Sequence, residues 1–110
     1  MTDKDLYLVF PNPLEDREDD FAHWYDSIHL GEILGLDGVN SAQRFDVNAV
    51  DGAEVTHRSL AVYECEGDGN VVAATIADAM GSGSMTVTDS IDTSTMVRMV
   101  FTPRTPRLTP

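Results

Sequence analysis

The chain has 110 residues, the length of one domain, and carries 19 acidic against 7 basic side chains, for a formal net charge of −12. So acidic a surface repels nucleic-acid phosphates and anionic membranes, which excludes direct binding to either. The single cysteine, Cys65, excludes an internal disulfide, no apolar run approaches the ~20 residues of a transmembrane helix, and the charged start Met1-Thr2-Asp3-Lys4-Asp5 lacks a signal peptide's apolar core, so a cytoplasmic protein is expected.

Leu6 to Phe10 is a short apolar run closed by Pro11-Asn12-Pro13 and reads as a strand. Because both of its faces are apolar, it is placed at the centre of a sheet. Glu15 to Leu30 reads as the main helix, with Asp16 as its cap and an acidic first turn that suits the helix dipole. Phe21, Trp24, Tyr25 and Ile28 follow the i, i+3, i+4, i+7 spacing of one buried stripe, and His29 lies one turn beyond Tyr25. His23 falls on the opposite, solvated side. Gly31 is expected to interrupt or kink the helix, and Glu32 to Leu36 to resume it for a turn before Asp37-Gly38 reverses the chain.

Val39 to Val47 alternates as a second strand, with Val39, Ser41, Gln43 and Phe45 on one face and Asn40, Ala42, Arg44 and Asp46 on the other. A loop with Asp51-Gly52 leads to a third strand, His57 to Glu66, in which Leu60, Val62 and Glu64 alternate with Ala61, Tyr63 and Cys65. Asp68 is a cap for a second helix from Gly69 to Met80, whose Val72, Ile76, Ala79 and Met80 have helical spacing. Gly81-Ser82-Gly83-Ser84 ends that helix. Ser94 to Thr102 is the last strand, with Val97, Met99 and Phe101 opposed to Met96, Arg98 and Val100.

The order βαββαβ predicts an α+β, ferredoxin-like domain over residues 1–103, with two helices on one face of a four-stranded antiparallel sheet. Residues 104–110 form an extended, proline-containing tail. The other face of the sheet would show Val, Leu, Phe and Met to water. A second copy of the chain, packed face to face about a two-fold axis, would cover it, so a homodimer is expected.

Trp24-Tyr25-x-x-x-His29-Leu30, preceded by Phe21 and followed by Glu32-x-Leu34, resembles the first-helix motif of EthD-like proteins of the dimeric α/β-barrel superfamily. Asn40-x-Ala42-x-Arg44-Phe45 and Leu60-Ala61-x-Tyr63-Glu64 resemble the second and third strands of that group, and Met85 to Asp92 resembles the loop before its last strand. Gly31 departs from the pattern, since many relatives carry proline there. The resemblance implies the fold and the dimer. It also implies activities as different as polyketide cyclisation, lactone isomerisation, lyase chemistry and cofactor-free oxygenation, among which a fold does not choose. Haem ligation by His29 also occurs within what the resemblance admits.

Of the ionisable residues, His29 has the chemistry to take and give a proton near neutral pH, given an ordinary imidazole pKa of ~6.5. Tyr25, one turn away, can orient it or hydrogen-bond an enolate. The pair is expected to serve as general acid/base on a small, mostly apolar aromatic or polyketide-like molecule, with Trp24, Phe21, Tyr63 and Arg44 in contact with it. Arg44 has two readings: an ion pair with an acid such as Glu64, or an anchor for a substrate carboxylate or phenolate; Arg98 has the same two. Tyr7 is placed in the core or at an interface, His57 in solvent, and Cys65 in the core as an inert thiol. No metal and no cofactor is expected: HExxH, cysteine pairs, GxGxxG and the P-loop pattern are all missing. The competing reading is a binding or accessory dimer that holds the same ligand without turnover.

Overall fold

The computed structural model describes residues 3–110. Met1 and Thr2, the first residues of the charged start, lie outside the described residues. The elements run β1 (Leu6–Phe10), α1 (Glu18–Trp24), a π-helical turn (Tyr25–His29), α2 (Leu30–Leu34), β2 (Val39–Asp46), β3 (Ser59–Cys65), α3 (Gly69–Gly81) and β4 (Val97–Phe101). The sheet order is β2-β3-β1-β4 with every neighbouring pair antiparallel, which is the ferredoxin-like arrangement expected from the element order. Among the described residues no helix is long and apolar enough to cross a membrane.

Alternation along the strands decides which side chains meet the helices. In β3, Ala61, Tyr63 and Cys65 are buried beneath them, together with Tyr7 and Val9 of β1. Against these pack Phe21, Trp24, Tyr25 and Ile33 from the first helical stretch and Val72, Ile76 and Ala79 from α3. Each such side chain, moved from water to this interior, stabilises the fold by about 1.5–3 kcal/mol before ordering costs. The opposite face presents Leu6, Leu8, Leu60 and Val62 half-buried, with Phe45, Met99 and Phe101 exposed at 42%, 46% and 48%.

Three local expectations give way. The first helix begins at Glu18, not Glu15, because Asp16 sits at φ 63°, in the left-handed region, and makes a turn instead of a cap. Gly31 does not break the helix, which runs through it inside α2; the irregularity lies one turn earlier, at Tyr25–His29. In β2 a bulge between Val39 and Ser41 shifts the register, so Val39 pairs with Cys65 and joins the helix-covered face with Ala42 and Arg44. Asp68 does cap α3, accepting a hydrogen bond from the Asn70 backbone N–H at 2.9 Å.

Candidate functional site

The π-helical turn arranges the aromatic side chains. In an α-helix, five residues carry a side chain about 140° round the axis, so Trp24 and His29 would point apart. Here the Leu30 N–H bonds the Tyr25 carbonyl, five residues back, and the wider turn brings Trp24 and His29 into line. Their rings stack with centroids 4.1 Å apart and planes 19° apart. Tyr25 meets the same imidazole edge-on at 5.0 Å. Phe21 in turn packs edge-on against Tyr25 at 5.3 Å.

A cavity of about 260 Å³ lies between these side chains, the sheet and α3. Trp24, Tyr25, His29 and Ile33 form one wall, Ile76, Ala77 and Met80 of α3 another, and Tyr7, Val9 and Tyr63 the sheet floor. Ile91 and Met96, from the long segment between α3 and β4, close it, and Arg98 of β4 completes the lining. That segment is held down at several points. The Thr86 N–H donates to the Glu32 carboxylate at 3.0 Å, and the Trp24 indole N–H donates to the Thr86 carbonyl at 3.1 Å. Farther along, the Leu14 N–H donates to the Ser90 carbonyl at 2.7 Å, and the Asp92 N–H to that of Asn12 at 2.9 Å.

Of the lining residues, His29 carries a ring nitrogen, Nδ1, sealed from solvent and without a hydrogen-bond partner, and the Tyr63 hydroxyl is sealed with the Tyr25 phenol as its polar neighbour. Burial pushes the His29 pKa down to about 4, against a weaker opposing pull from Glu32. The imidazole is therefore neutral at pH 7, and the expectation of an imidazole titrating near neutrality is corrected. Burial pushes Tyr25 up to about 12, and burial with the neighbouring Tyr25 phenol raises Tyr63 farther still. Both phenols stay protonated donors at physiological pH.

Of the six residues expected at the site, Trp24, Tyr25, His29 and Tyr63 converge on the cavity; Phe21 and Arg44 lie behind it. Arg44 does not pair with Glu64. The two project from opposite faces of the sheet, and Glu64 accepts instead from the Ser41 hydroxyl at 2.7 Å. Arg44 donates to Asp26 at 2.5 Å and to the Ser59 hydroxyl at 3.0 Å. Its guanidinium also sits 5.3 and 5.1 Å from the ring centroids of Phe21 and Tyr25. It thus braces Tyr25 from outside. His57 is half-buried, not solvated, with Nε2 2.7 Å from the Thr95 carbonyl. Cys65 is fully buried and its thiol is pushed up by burial. Sequence reasoning passed over Glu32, whose position three residues after His29 on a helix was its one signal. Ile33, Ile76, Met80 and Ile91 read only as helix or loop positions and Met96 as part of the last strand, which in fact begins at Val97, because nothing local marks a side chain that borders a cavity.

Among the described residues no group of three His, Cys, Asp or Glu side chains is placed to hold a metal ion. Haem on His29 does not fit: about 260 Å³ lies at the small end of ligand sites, room for a one-ring molecule, and a porphyrin needs far more.

The sequence matches no family model and no curated protein. Two solved structures share the architecture. A "putative monooxygenase" from Shewanella loihica PV-4 superimposes with a TM-score of 0.56 at 14% identity, over 94% of this chain and 96% of that one. An EthD family protein from Bacillus halodurans C-125 does so with a TM-score of 0.51 at 12% identity, over 90% and 96%. The likeness is one of fold, and it is the α+β ferredoxin-like fold of EthD-type proteins that the helix and strand residues resembled.

Proposed function

We propose that the protein takes a small, mostly apolar aromatic or polyketide-like molecule into this cavity and moves a proton on it without a cofactor, His29 acting as acid/base with Tyr25 beside it. The observation that carries the reading is the convergence of a neutral imidazole, His29, and two protonated phenols, Tyr25 and Tyr63, on one otherwise apolar cavity. A buried polar atom left unsatisfied, as His29 Nδ1 is, costs about 1–3 kcal/mol, so a polar ligand group that reached it would recover part of that cost.

The neutral imidazole sets the terms of the chemistry. A C–H proton leaving the substrate passes to a ring nitrogen of His29, and the electron pair stays on the substrate as an enolate. A lone imidazolium is disfavoured here, but one formed beside the enolate has its counter-ion in place. The Tyr63 and Tyr25 phenols are neutral donors able to hydrogen-bond the enolate oxygen. Return of the proton to another carbon completes an isomerisation; in a cyclisation the same enolate carbon attacks an internal carbonyl, whose π electrons move to its oxygen, and the His29 imidazolium returns its proton to that alkoxide.

Deuterium exchange tests this. Enolisable aryl ketones and β-diketones incubated with the protein in D₂O should lose α-protons at least tenfold faster than in buffer alone, within the range general-base catalysis supplies (~10²–10⁴). His29→Gln should abolish the gain while leaving ligand affinity within a few-fold. Binding without exchange in either protein would leave a ligand-holding module. That second reading has its own support, since His29 is a weak base and no carboxylate bonds its sealed Nδ1.

The open sheet face, where Phe45, Met99 and Phe101 are exposed, supports a homodimer as the working form.

A further inference from the structure

Arg98 holds a position that the proton-transfer reading does not use. It lies on the helix-covered face of the edge strand β4, directly opposite Val9 of β1. Its side chain is exposed, yet it lines the apolar cavity. With Tyr7, Ala77 and Met96 it also lines an open groove of about 520 Å³ between α3 and β4. Arg98 therefore stands where the cavity opens outward.

Acids outnumber bases 19 to 7; among the described residues Lys4, Arg17 and Arg44 are engaged in ion pairs while Arg58, Arg98, Arg104 and Arg107 are not, and of these four Arg98 is the one that lines the cavity. Among the described residues Arg98 has no carboxylate within ion-pair distance. Tyr7 is its polar neighbour: burial raises that phenol's pKa, and the guanidinium pulls it back. The Tyr7 phenol oxygen can receive one of the five guanidinium N–H groups, so further N–H donors and the phenol O–H are left for a ligand at the mouth of the cavity. Such a set of donors matches a planar oxyanion.

We propose that Arg98, with Tyr7, selects ligands that carry one carboxylate at the end of an apolar body, the body entering the cavity and the carboxylate remaining at its mouth. The proposal rests on the reading of the cavity as a ligand site and narrows the ligand class. It also reconciles an anionic ligand with an anionic protein. A net charge of −12 repels such a molecule at long range, and Arg98 supplies a local attraction where the ligand docks. Arg44, spent on Asp26, cannot do so.

The test uses the single tryptophan, Trp24, which lines the cavity and reports binding through its own fluorescence. The probes are 3-phenylpropionate and its neutral amide, of nearly equal size. The wild-type protein should bind the acid at least about tenfold more tightly than the amide, as one charge-assisted bidentate contact allows. Arg98→Met, at an exposed position, should erase that preference while leaving amide affinity within about twofold, and Arg98→Lys should restore part of it. Equal binding of acid and amide to the wild type, or a preference that survives Arg98→Met, overturns the proposal and leaves the cavity as a ligand site. If neither probe quenches Trp24, Arg98 selects no such acid and the cavity itself loses support.

Discussion

Stacked flat on Trp24 and cut off from water at Nδ1, His29 is more informative about stability than an exposed histidine would be. The unfolded chain protonates it near the ordinary ~6.5, the folded chain only near about 4. Between those values the unfolded state binds more protons, so stability must rise with pH across that window. The contribution is complete above 6.5, fades as pH falls, and is gone below about 4, at a cost of about 3 kcal/mol at most. Urea melts at pH 7 and pH 4.5 should therefore show the wild type losing about 2–3 kcal/mol more than His29→Gln, which has no proton to gain. The comparison matters because acidification also relieves repulsion among the 19 acids, an effect both proteins share. Parallel losses would mean that His29 titrates normally and that the cavity wall is more open than drawn. None of this was legible in the sequence. The residue type was, but the direction of its pKa depends on how Trp24, Tyr25 and the segment pinned at Thr86 seal it.

At the scale of elements, the order of strands and helices was legible because period-two and period-3.6 patterns and the Asp-Gly, Pro and Gly-Ser breaks survive in one dimension. What escaped were single-residue irregularities: the π-helical turn at Tyr25–His29 and the bulge between Val39 and Ser41. Each inserts one residue and leaves no residue-type signature, yet each decides which side chain faces the core. The π turn aligns Trp24 with His29 at a spacing of five, and the bulge returns Val39 to the buried face. Gly31 illustrates the opposite error, a residue that looks like a break and is not one. It sits inside α2, exposed, with nothing within 4 Å of where a Cβ would stand. Gly31→Ala should then stabilise the protein by about 0.5–1 kcal/mol, since glycine gives up more chain entropy in a helix. A thermal melt would register a gain of a few degrees. Gly69 provides the contrast, for an added Cβ would come within 2.6 Å of Val100 at the start of α3, and Gly69→Ala should lower the midpoint. A lower midpoint for Gly31→Ala would show that the π turn needs a flexible residue behind it.

For the whole molecule the open sheet face is the decisive feature. Directly paired residues share a face in an antiparallel sheet, so the register places Val62 beside Leu8, Leu8 beside Met99, and Leu60 beside Phe45. Together they form an apolar band across all four strands, on the side the helices do not cover. Two copies related by a two-fold axis would bury the band twice over with one set of side chains, and every contact made by one copy would be made by the other. Opposing this is charge, since two chains at −12 repel each other until counter-ions screen them. Both terms can be read in one experiment. Sedimentation at micromolar concentration should find twice the single-chain mass, and the dimer should tighten as salt is raised from about 0.01 to 0.15 M, over which the screening length falls from about 30 to 8 Å. Phe45→Lys and Met99→Lys change exposed positions on the band and should give folded monomers, with a circular dichroism spectrum like that of the wild type. A wild type that sediments as one chain at every salt concentration would mean that the band tolerates water, and that the cavity on the other face works without a partner.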